Sequence, residues 1–395
     1  MTARPRSWPI DRATFLAGSA GFTASLAGIA RAEAMQPGAV ALPLEVVNNR
    51  PFVGLTYGGP ARRVWARTWI DTGGGALIVT APLLREIGLP PPQSTATFEK
   101  CAWPGVRAGA LAARTDRLPS FATQTANVTE GGESQAFTSP VIFDRVRLDY
   151  PARTFVVNDE LRGTSVAATI SDRSFFPRVE VTIGGRKFGM LLDTGTSCTM
   201  LSAAVIAELG GRWPARRAAY GYANMGADYD VRATIARIPS MEFAGMTLRD
   251  VLCVSRPRGT FEEYMSNLMD GAIVGALGGN VLRNFVVEID YAGKKVAISG
   301  RSAPEPPLVQ VPVVVEALPQ HHYRIIGVAE TLVSAGGAVP RAGDLLEAID
   351  GKATHQLSFP AVLEALRGKP GDAKTLALRR GDDALELVVA VQTII

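Results

Sequence analysis

Histidine is nearly absent from this sequence of 395 residues, which contains only three, His321, His322 and His355. All of them lie in the last quarter, so the first 320 residues contain none. Serine, cysteine and zinc hydrolases use histidine as a general base or as a metal ligand. Such sites are therefore excluded from the first 320 residues, and we expect neither a metal nor a cofactor. Proton transfer in this part of the chain must rest mainly on carboxylates.

Long basic runs, long apolar runs and cysteine pairs are also lacking. Lysine and arginine total 41 against 37 acidic residues with no basic run above two, so no nucleic-acid partner is expected. No apolar run approaches the roughly 20 residues of a membrane span, which argues against a stable membrane anchor. Cys101, Cys198 and Cys253 are widely spaced and form no CxxC motif. One disulfide and three free thiols stay open as alternatives.

The first 34 residues have the order of a secretory signal peptide. Arginines at positions 4, 6 and 12 precede a stretch, 13–30, that is uncharged and made of apolar or small residues. Overlapping Ala-x-Ala sites at 30–32 and 32–34 then offer a cleavage point. We predict a signal peptide over residues 1–34 and an exported protein. An amphipathic or disordered N-terminus is the alternative.

An internal repeat is the most informative feature that is present. The Asp-Thr-Gly at 71–73 returns at 193–195, an offset of 122 residues, and the match continues without gaps to Gly88 and Gly210. Each copy has the pattern of a strand, a glycine-rich hairpin, a second strand, the Asp-Thr-Gly turn and a short helix. The sequence therefore predicts two related, mainly β lobes, over residues 35–160 and 161–301. A duplicated structural turn without chemistry is the alternative.

Two equivalent turns meet at the axis when duplicated lobes are related by a pseudo-twofold. Asp71 and Asp193 would then face each other, share one proton and titrate as a pair. The ionised partner can take a proton from a water molecule while the protonated partner hydrogen-bonds a carbonyl, so no histidine is needed. Glycine after each motif threonine lets the backbone pass close to the carboxylates. The threonines can hydrogen-bond across the axis.

These motifs resemble the pepsin-like and retropepsin-like aspartic proteases over about residues 40–300. The resemblance implies bilobal, closed-barrel β lobes with pseudo-twofold symmetry and hydrolysis of peptide bonds. In lobe two, Ile273-Val274-Gly275 matches the family's hydrophobic-hydrophobic-Gly element, and residues 280–285 are similar to a segment of the bacterial members. The implied catalytic residues are Asp71 and Asp193, and the implied supporting residues are Thr72, Gly73, Thr194, Gly195 and Thr196.

Lobe one departs from the family pattern in two places. No clear hydrophobic-hydrophobic-Gly precedes Asp149, because Val141-Ile142-Phe143 lacks the glycine. Gly74 also stands where a serine or threonine is often found. A flap over the cleft is the family's remaining element, and its candidate residues are Tyr220, Tyr222 and, within 97–109, Trp103. Buried aromatic residues beside glycine turns are the alternative for all three.

The remainder of the chain follows a proline-rich linker at 302–307. Residues 342–351 resemble the Gly-Asp, strand, Asp-Gly signature of PDZ domains, and a helix near 359–367 and two strands follow in the expected order. The resemblance implies a PDZ domain over 308–395 that binds a peptide ligand by strand addition. Ile326, Gly327 and Val328 are similar to its carboxylate-binding loop. A module that only packs on the lobes is the alternative.

The sequence as a whole predicts an exported aspartic endopeptidase of bacterial type, located in the periplasm or secreted. Its partners would be a peptide or protein substrate and a peptide ligand of the PDZ domain. A catalytically inactive, protease-like scaffold whose PDZ domain binds peptides is the alternative function.

Overall fold

The computed structural model describes residues 35–91, 102–124, 134–218, 233–329 and 338–395. The predicted signal peptide, Cys101, Tyr220 and Tyr222 lie outside the described residues. Within the described part the fold is mainly β, as expected, and Gly38–Ile395 form one compact unit. No helix in this part is both long enough and apolar enough to cross a bilayer.

The first repeat is a series of strands with one short helix among its described residues. The strands are β1 (Val40–Val47), β2 (Arg50–Gly58), β3 (Arg63–Ile70), β4 (Ala76–Thr80), β5 (Gly105–Ala108), β6 (Leu111–Ala112), β7 (Ser120–Gln124), β8 (Ala136–Thr138), β9 (Arg145–Asp149) and β10 (Thr154–Val157). Helix α1 (Ala81–Ile87) follows β4 and ends at Gly88, whose φ of 79° is the left-handed conformation that favours glycine.

The second repeat continues with strands β11 (Thr164–Ser165), β12 (Ala168–Ile170), β13 (Pro177–Ile183), β14 (Arg186–Leu192), β15 (Thr199–Ser202), β16 (Ala215–Ala218), β17 (Ala233–Phe243), β18 (Met246–Arg256), β19 (Gly275–Leu277), β20 (Phe285–Asp290) and β21 (Lys295–Gly300). Helices α2 (Ala203–Leu209) and α3 (Gly279–Leu282) follow β15 and β19, and a π-helix spans Thr260–Met265. Burial alternates strictly along β13, because its apolar and polar residues alternate.

Strand pairing around the two Asp-Thr-Gly turns follows the same pattern in both repeats. Strand β3 pairs in parallel with β8, as β14 does with β19. Strand β4 pairs in parallel with β7 and antiparallel with β8, as β15 does with β18 and β19. Helices α1 and α2 begin 122 residues apart, which is the offset of the sequence repeat.

This pairing corrects the search for the missing element of the first repeat. Strand β8 is the counterpart of β19, so Ser134-Gln135-Ala136 stands where the second repeat has Ile273-Val274-Gly275. The segment Val141-Ile142-Phe143 lies beyond this strand, in and after a 3₁₀ turn at Pro140–Ile142. The element is therefore present as a strand without its hydrophobic-hydrophobic-Gly sequence, which is why the motif was not found.

Strands of both repeats also share one sheet, in the order β11-β21-β20-β9-β10-β1. The junction is the antiparallel pair of β9 and β20, in which Leu148 lies opposite Val287. Asp149 and Asp290 close the hairpins after these strands by accepting hydrogen bonds from the amides of Ala152 (2.8 Å) and Gly293 (2.6 Å). Both aspartates are thus turn residues.

The described residues of the last 88 form further strands and one α-helix. The strands are β22 (Val309–Gln310), β23 (Val313–Leu318), β24 (His322–Val328), β25 (Leu345–Ile349), β26 (Lys352–Ala353), β27 (Ala373–Arg380), β28 (Asp383–Ala390) and β29 (Gln392–Thr393), and helix α4 spans Phe359–Ala365. Ile326, Gly327 and Val328 lie inside β24, where Gly327 is opposite Val314 of β23. These three residues are therefore part of a paired strand and not of a loop.

Candidate active site

The two Asp-Thr-Gly turns begin at the buried ends of two strands. Asp71 follows Ile70 of β3, and its amide donates to the carbonyl of Thr138 at 3.1 Å. Asp193 follows β14 in the same way, and its amide donates to the carbonyl of Leu277, also at 3.1 Å. Strands β8 and β19 thus fix the backbone of the two aspartates by equivalent bonds.

Each aspartate lies against the glycine of the opposite turn. A Cβ placed on Gly195 would come within 2.1 Å of the Asp71 Cγ, and one on Gly73 within 2.9 Å of the Asp193 Cγ. Real Cβ atoms do not approach this closely, so any other residue at these positions would displace a carboxyl group. The structure therefore brings Asp71, Gly73, Asp193 and Gly195 together.

The two threonines lock the turns to each other by four reciprocal hydrogen bonds. The Thr72 amide donates to the Thr194 hydroxyl at 3.1 Å, and the Thr194 amide donates to the Thr72 hydroxyl at 3.0 Å. The hydroxyls in turn donate to Leu192 O (2.5 Å) and Ile70 O (2.9 Å) of the opposite strands. Both threonines are fully buried, so these bonds are shielded from competing water.

The two carboxyl groups are not supported equally. Asp71 Oδ1 accepts one backbone hydrogen bond, from the Gly73 amide at 2.7 Å. Asp193 Oδ1 accepts two, from the amides of Gly195 (2.9 Å) and Thr196 (3.2 Å). The Thr196 hydroxyl does not reach the carboxylate, because it donates to the carbonyl of Cys198. Since backbone donors stabilise the ionised form, Asp193 is the better-supported carboxylate.

These surroundings raise the pKa of both groups from the ordinary 3.8. Removal from water, the charge of Asp193 and a hydrogen bond to Asp193 together raise the pKa of Asp71 well above that value. Removal from water also raises the pKa of Asp193, but the hydrogen bonds from Asp71, Gly195 and Thr196 oppose the rise. The two groups therefore titrate as a coupled pair, in which the pKa of Asp71 is raised further than that of Asp193.

A buried arginine lies near this pair and was not predicted. Arg50, the first residue of β2, is 4% exposed, and its guanidinium carbon lies 5.0 Å from the centre of the Trp69 ring. Its charge lowers the pKa of both aspartates, as the smallest of the contributions to each. No sequence pattern marks it, because Arg50 is one of many scattered arginines.

The space beside each carboxyl is filled differently in the two repeats. A Cβ on Gly74 would meet the Phe137 ring at 2.2 Å, so the ring occupies the volume that a side chain would need. The equivalent positions in the second repeat hold Thr196 and Ala276, because Phe137 pairs with Trp69 as Ala276 pairs with Leu191. The exchange of a small and a large residue explains why Gly74 departs from the family pattern.

A cleft of about 610 Å³ opens above the two aspartates. Apolar side chains line much of it, among them Trp69, Phe176, Met265 and the exposed ring of Tyr264. Arg173 lies at its edge and donates to the carbonyl of Asn267 at 2.5 Å. Tyr264 and Met265 belong to the π-helix, an irregularity that often accompanies functional sites but leaves no simple sequence pattern.

Of the three candidate flap residues, the structure describes only Trp103. Trp103 does not line the cleft and packs instead toward the core of the first repeat, with its ring 5.4 Å from that of Phe121. The Trp103 side chain is partly buried there. Tyr220 and Tyr222 lie outside the described residues.

Metal-binding clusters are absent from the part of the chain that the structure describes: no group of three or more His, Cys, Asp or Glu side chains is arranged to hold an ion. Cys198 and Cys253 are both buried and free. Burial raises the pKa of both thiols, so neither is an activated nucleophile.

Comparison with known proteins shows a family similarity for one part of the chain. Among solved structures, the chain is similar to the aspartic proteinase from Irpex lacteus, at 11% identity over 67% of this chain and 98% of that chain, with a TM-score of 0.41. No curated protein matches the sequence. The model of a family described as aspartyl protease matches residues 179–281. The stretch that contains Asp193 and β19 is therefore similar to the aspartyl proteases.

Proposed function

We propose that this protein is an aspartic endopeptidase whose catalytic residues are Asp71 and Asp193. The observation that carries the proposal is the interlocked pair of turns, in which each carboxyl lies against the opposite glycine. The match of residues 179–281 to the aspartyl protease family supports it. Duplicated β lobes related by a pseudo-twofold are the architecture that goes with this proposal.

The proposed reaction uses the unequal support of the two groups. Asp193 takes a proton from a water molecule, whose oxygen attacks the peptide carbon, while Asp71 donates its proton to the carbonyl oxygen. The resulting tetrahedral diol collapses when Asp193 passes its proton to the amide nitrogen and Asp71 recovers one from a hydroxyl. The C–N bond breaks, and the dyad returns to its starting protonation without a cofactor.

The substrate would be an extended peptide or an unfolded protein segment. The apolar walls of the cleft favour apolar side chains on either side of the cleaved bond. The last 88 residues would be a PDZ domain that binds a peptide, and residues 1–34 would direct export to the bacterial periplasm or medium.

Cleavage of an unstructured protein tests the proposal. We expect cleavage by the wild type that pepstatin inhibits, and a loss of at least about a thousandfold in Asp71→Asn and in Asp193→Asn. Asp149→Asn is the matched control, because it makes the same chemical change at a hairpin turn. Equal cleavage by Asp193→Asn and the wild type would refute the assignment. Peptide binding that is unaffected by either substitution, with no cleavage by the wild type, would support the inactive scaffold.

A further inference from the structure

A glutamate of the predicted linker reaches into the second repeat. Glu305 Oε2 accepts hydrogen bonds from the amide of Leu252 at 2.9 Å and from the side-chain amide of Asn280 at 2.8 Å. Removal from water raises the pKa of this carboxyl, and the two hydrogen bonds oppose the rise. A partly buried carboxylate that accepts two hydrogen bonds is unusual in a segment whose composition predicts a linker.

Asn280 connects this glutamate to the strand that follows the active-site turn. It is 2% exposed and is the second residue of α3. Its Oδ1 accepts from the Thr199 amide at 2.7 Å and from the Thr199 hydroxyl at 2.9 Å. The Asn280 amide group also donates to Leu252 O at 2.9 Å, so Glu305 and Leu252 together fix its orientation.

The segment between Asp193 and Thr199 depends on these contacts. Helix α3 holds it directly, because the Gly279 amide donates to Thr196 O (2.8 Å) and the Asn280 amide donates to Ser197 O (3.1 Å). The Thr196 amide is one of the two backbone donors to the Asp193 carboxylate. A displacement of Asn280 would therefore move a donor away from the Asp193 carboxylate.

Glu305 is itself held in place from the other side. Arg237 donates to the carbonyls of Asp250 and Pro306, each at 2.7 Å, and to the carbonyl of Glu305 at 3.3 Å. The charges that face the Glu305 carboxyl are those of Arg237 and Arg283, and the thiols of Cys198 and Cys253 lie close to it. The linker is thus fastened to the second repeat at both its backbone and its side chain.

We propose that Glu305 is a positioning residue for Asp193, acting through Asn280 and Thr199. It does not contact the dyad, and its role is to keep the Thr196 amide aimed at the Asp193 carboxylate. The inference rests on the proposed function, because it assigns a catalytic consequence to this contact. It also makes the linker a part of the active-site support.

The test compares Glu305→Ala with Glu305→Gln in the full chain. The alanine variant should lower kcat on a peptide substrate about tenfold with KM within about twofold, because Glu305 does not line the cleft. The glutamine oxygen can accept both hydrogen bonds, so this variant should keep kcat within about threefold of the wild type. Glu305→Asp, which keeps the charge but is too short, replaces the alanine variant should that one fail to fold.

Hydrogen–deuterium exchange of residues 194–200 gives a readout that needs no activity. Exchange there should accelerate in Glu305→Ala and not in the control Glu347→Ala, which removes a glutamate that pairs with Arg379 in the last 88 residues. An unchanged kcat in Glu305→Ala, from an active wild type, would overturn the inference. A wild type that cleaves nothing would refute the proposed function instead. In that case hydrogen–deuterium exchange alone would test the inference, and equal exchange in Glu305→Ala and Glu347→Ala would overturn it.

Discussion

At the scale of single residues, the decisive feature is the unequal support of two identical side chains. Asp193 accepts two backbone hydrogen bonds and Asp71 accepts one, although each follows an equivalent strand and begins an Asp-Thr-Gly sequence. The difference lies at the fourth position of each turn: the Thr196 amide donates to Asp193 Oδ1, whereas the Gly74 amide donates to the main-chain carbonyl of Asp71 at 3.4 Å. One backbone donor beside a carboxyl pair thus favours the ionised form of one member over the other.

The pH dependence of activity follows from these directions. In the proposed mechanism the dyad works with one proton, so activity should rise with pH as Asp193 ionises and fall as Asp71 loses its proton. Since the pKa of Asp193 is raised, the acid limb of kcat/KM should lie above pH 3.8, and the raised pKa of Asp71 should place the alkaline limb higher still. A pH profile of kcat/KM checks this expectation, and an acid limb below 3.8 would contradict it.

At the scale of secondary-structure elements, the exchange between Gly74 and Phe137 ties a turn to strand β8. Gly74→Ser should destabilise the protein by about 1–3 kcal/mol, because the added side chain overlaps the Phe137 ring. In a Phe137→Ala background the same change should destabilise the protein by at least about 1 kcal/mol less. Urea denaturation of the wild type, the two single variants and the double variant would measure this difference.

Gly105→Ser is the matched control for this cycle. A Cβ at Gly105 would meet nothing nearer than 3.8 Å, so the serine should be tolerated in both backgrounds. Strictly additive free energies for Gly74→Ser and Phe137→Ala would show that the two positions do not compete for space.

Sequence patterns within short stretches of the chain predicted the two short helices that follow the turns. The offset of 122 residues located α1 and α2, and Gly88 ends α1 because it adopts a positive φ. Strand β8 was missed because its identity depends on parallel pairing with β3, a contact between distant parts of the chain. Its sequence, without the glycine, carries no trace of that pairing.

Only part of the candidate site could be predicted from the sequence. The motif residues were predicted because their residue types and their spacing occur in consecutive positions. Tyr264 and Glu305 were not, since the first lies on a π-helix and the second in a segment that composition marks only as a spacer. Their places at the site come from tertiary packing, which a single sequence does not reveal.

At the scale of the whole molecule, the C-terminal residues pack against the second repeat. Ile394 is fully buried in the same apolar cluster as Met200 and Leu252, and its amide donates to Leu308 O at 2.8 Å. Ile394→Ala should therefore lower the free energy of unfolding by about 2–4 kcal/mol.

Chemical denaturation compares this variant with Val388→Ala, whose side chain is 48% exposed and should change stability by less than about 0.5 kcal/mol. Equal stabilities for the two variants would contradict the packing of Ile394 against the second repeat.

The reciprocal threonine bonds have a consequence for the order of events during synthesis. Thr72 finds its partners only on the turn that holds Thr194, 122 residues later in the chain. A ribosome-bound chain therefore carries its first aspartate before the second turn exists, and the proposed dyad is incomplete during that interval. Under the proposed function, the unfinished chain cannot cleave itself at this site, because the site needs both turns.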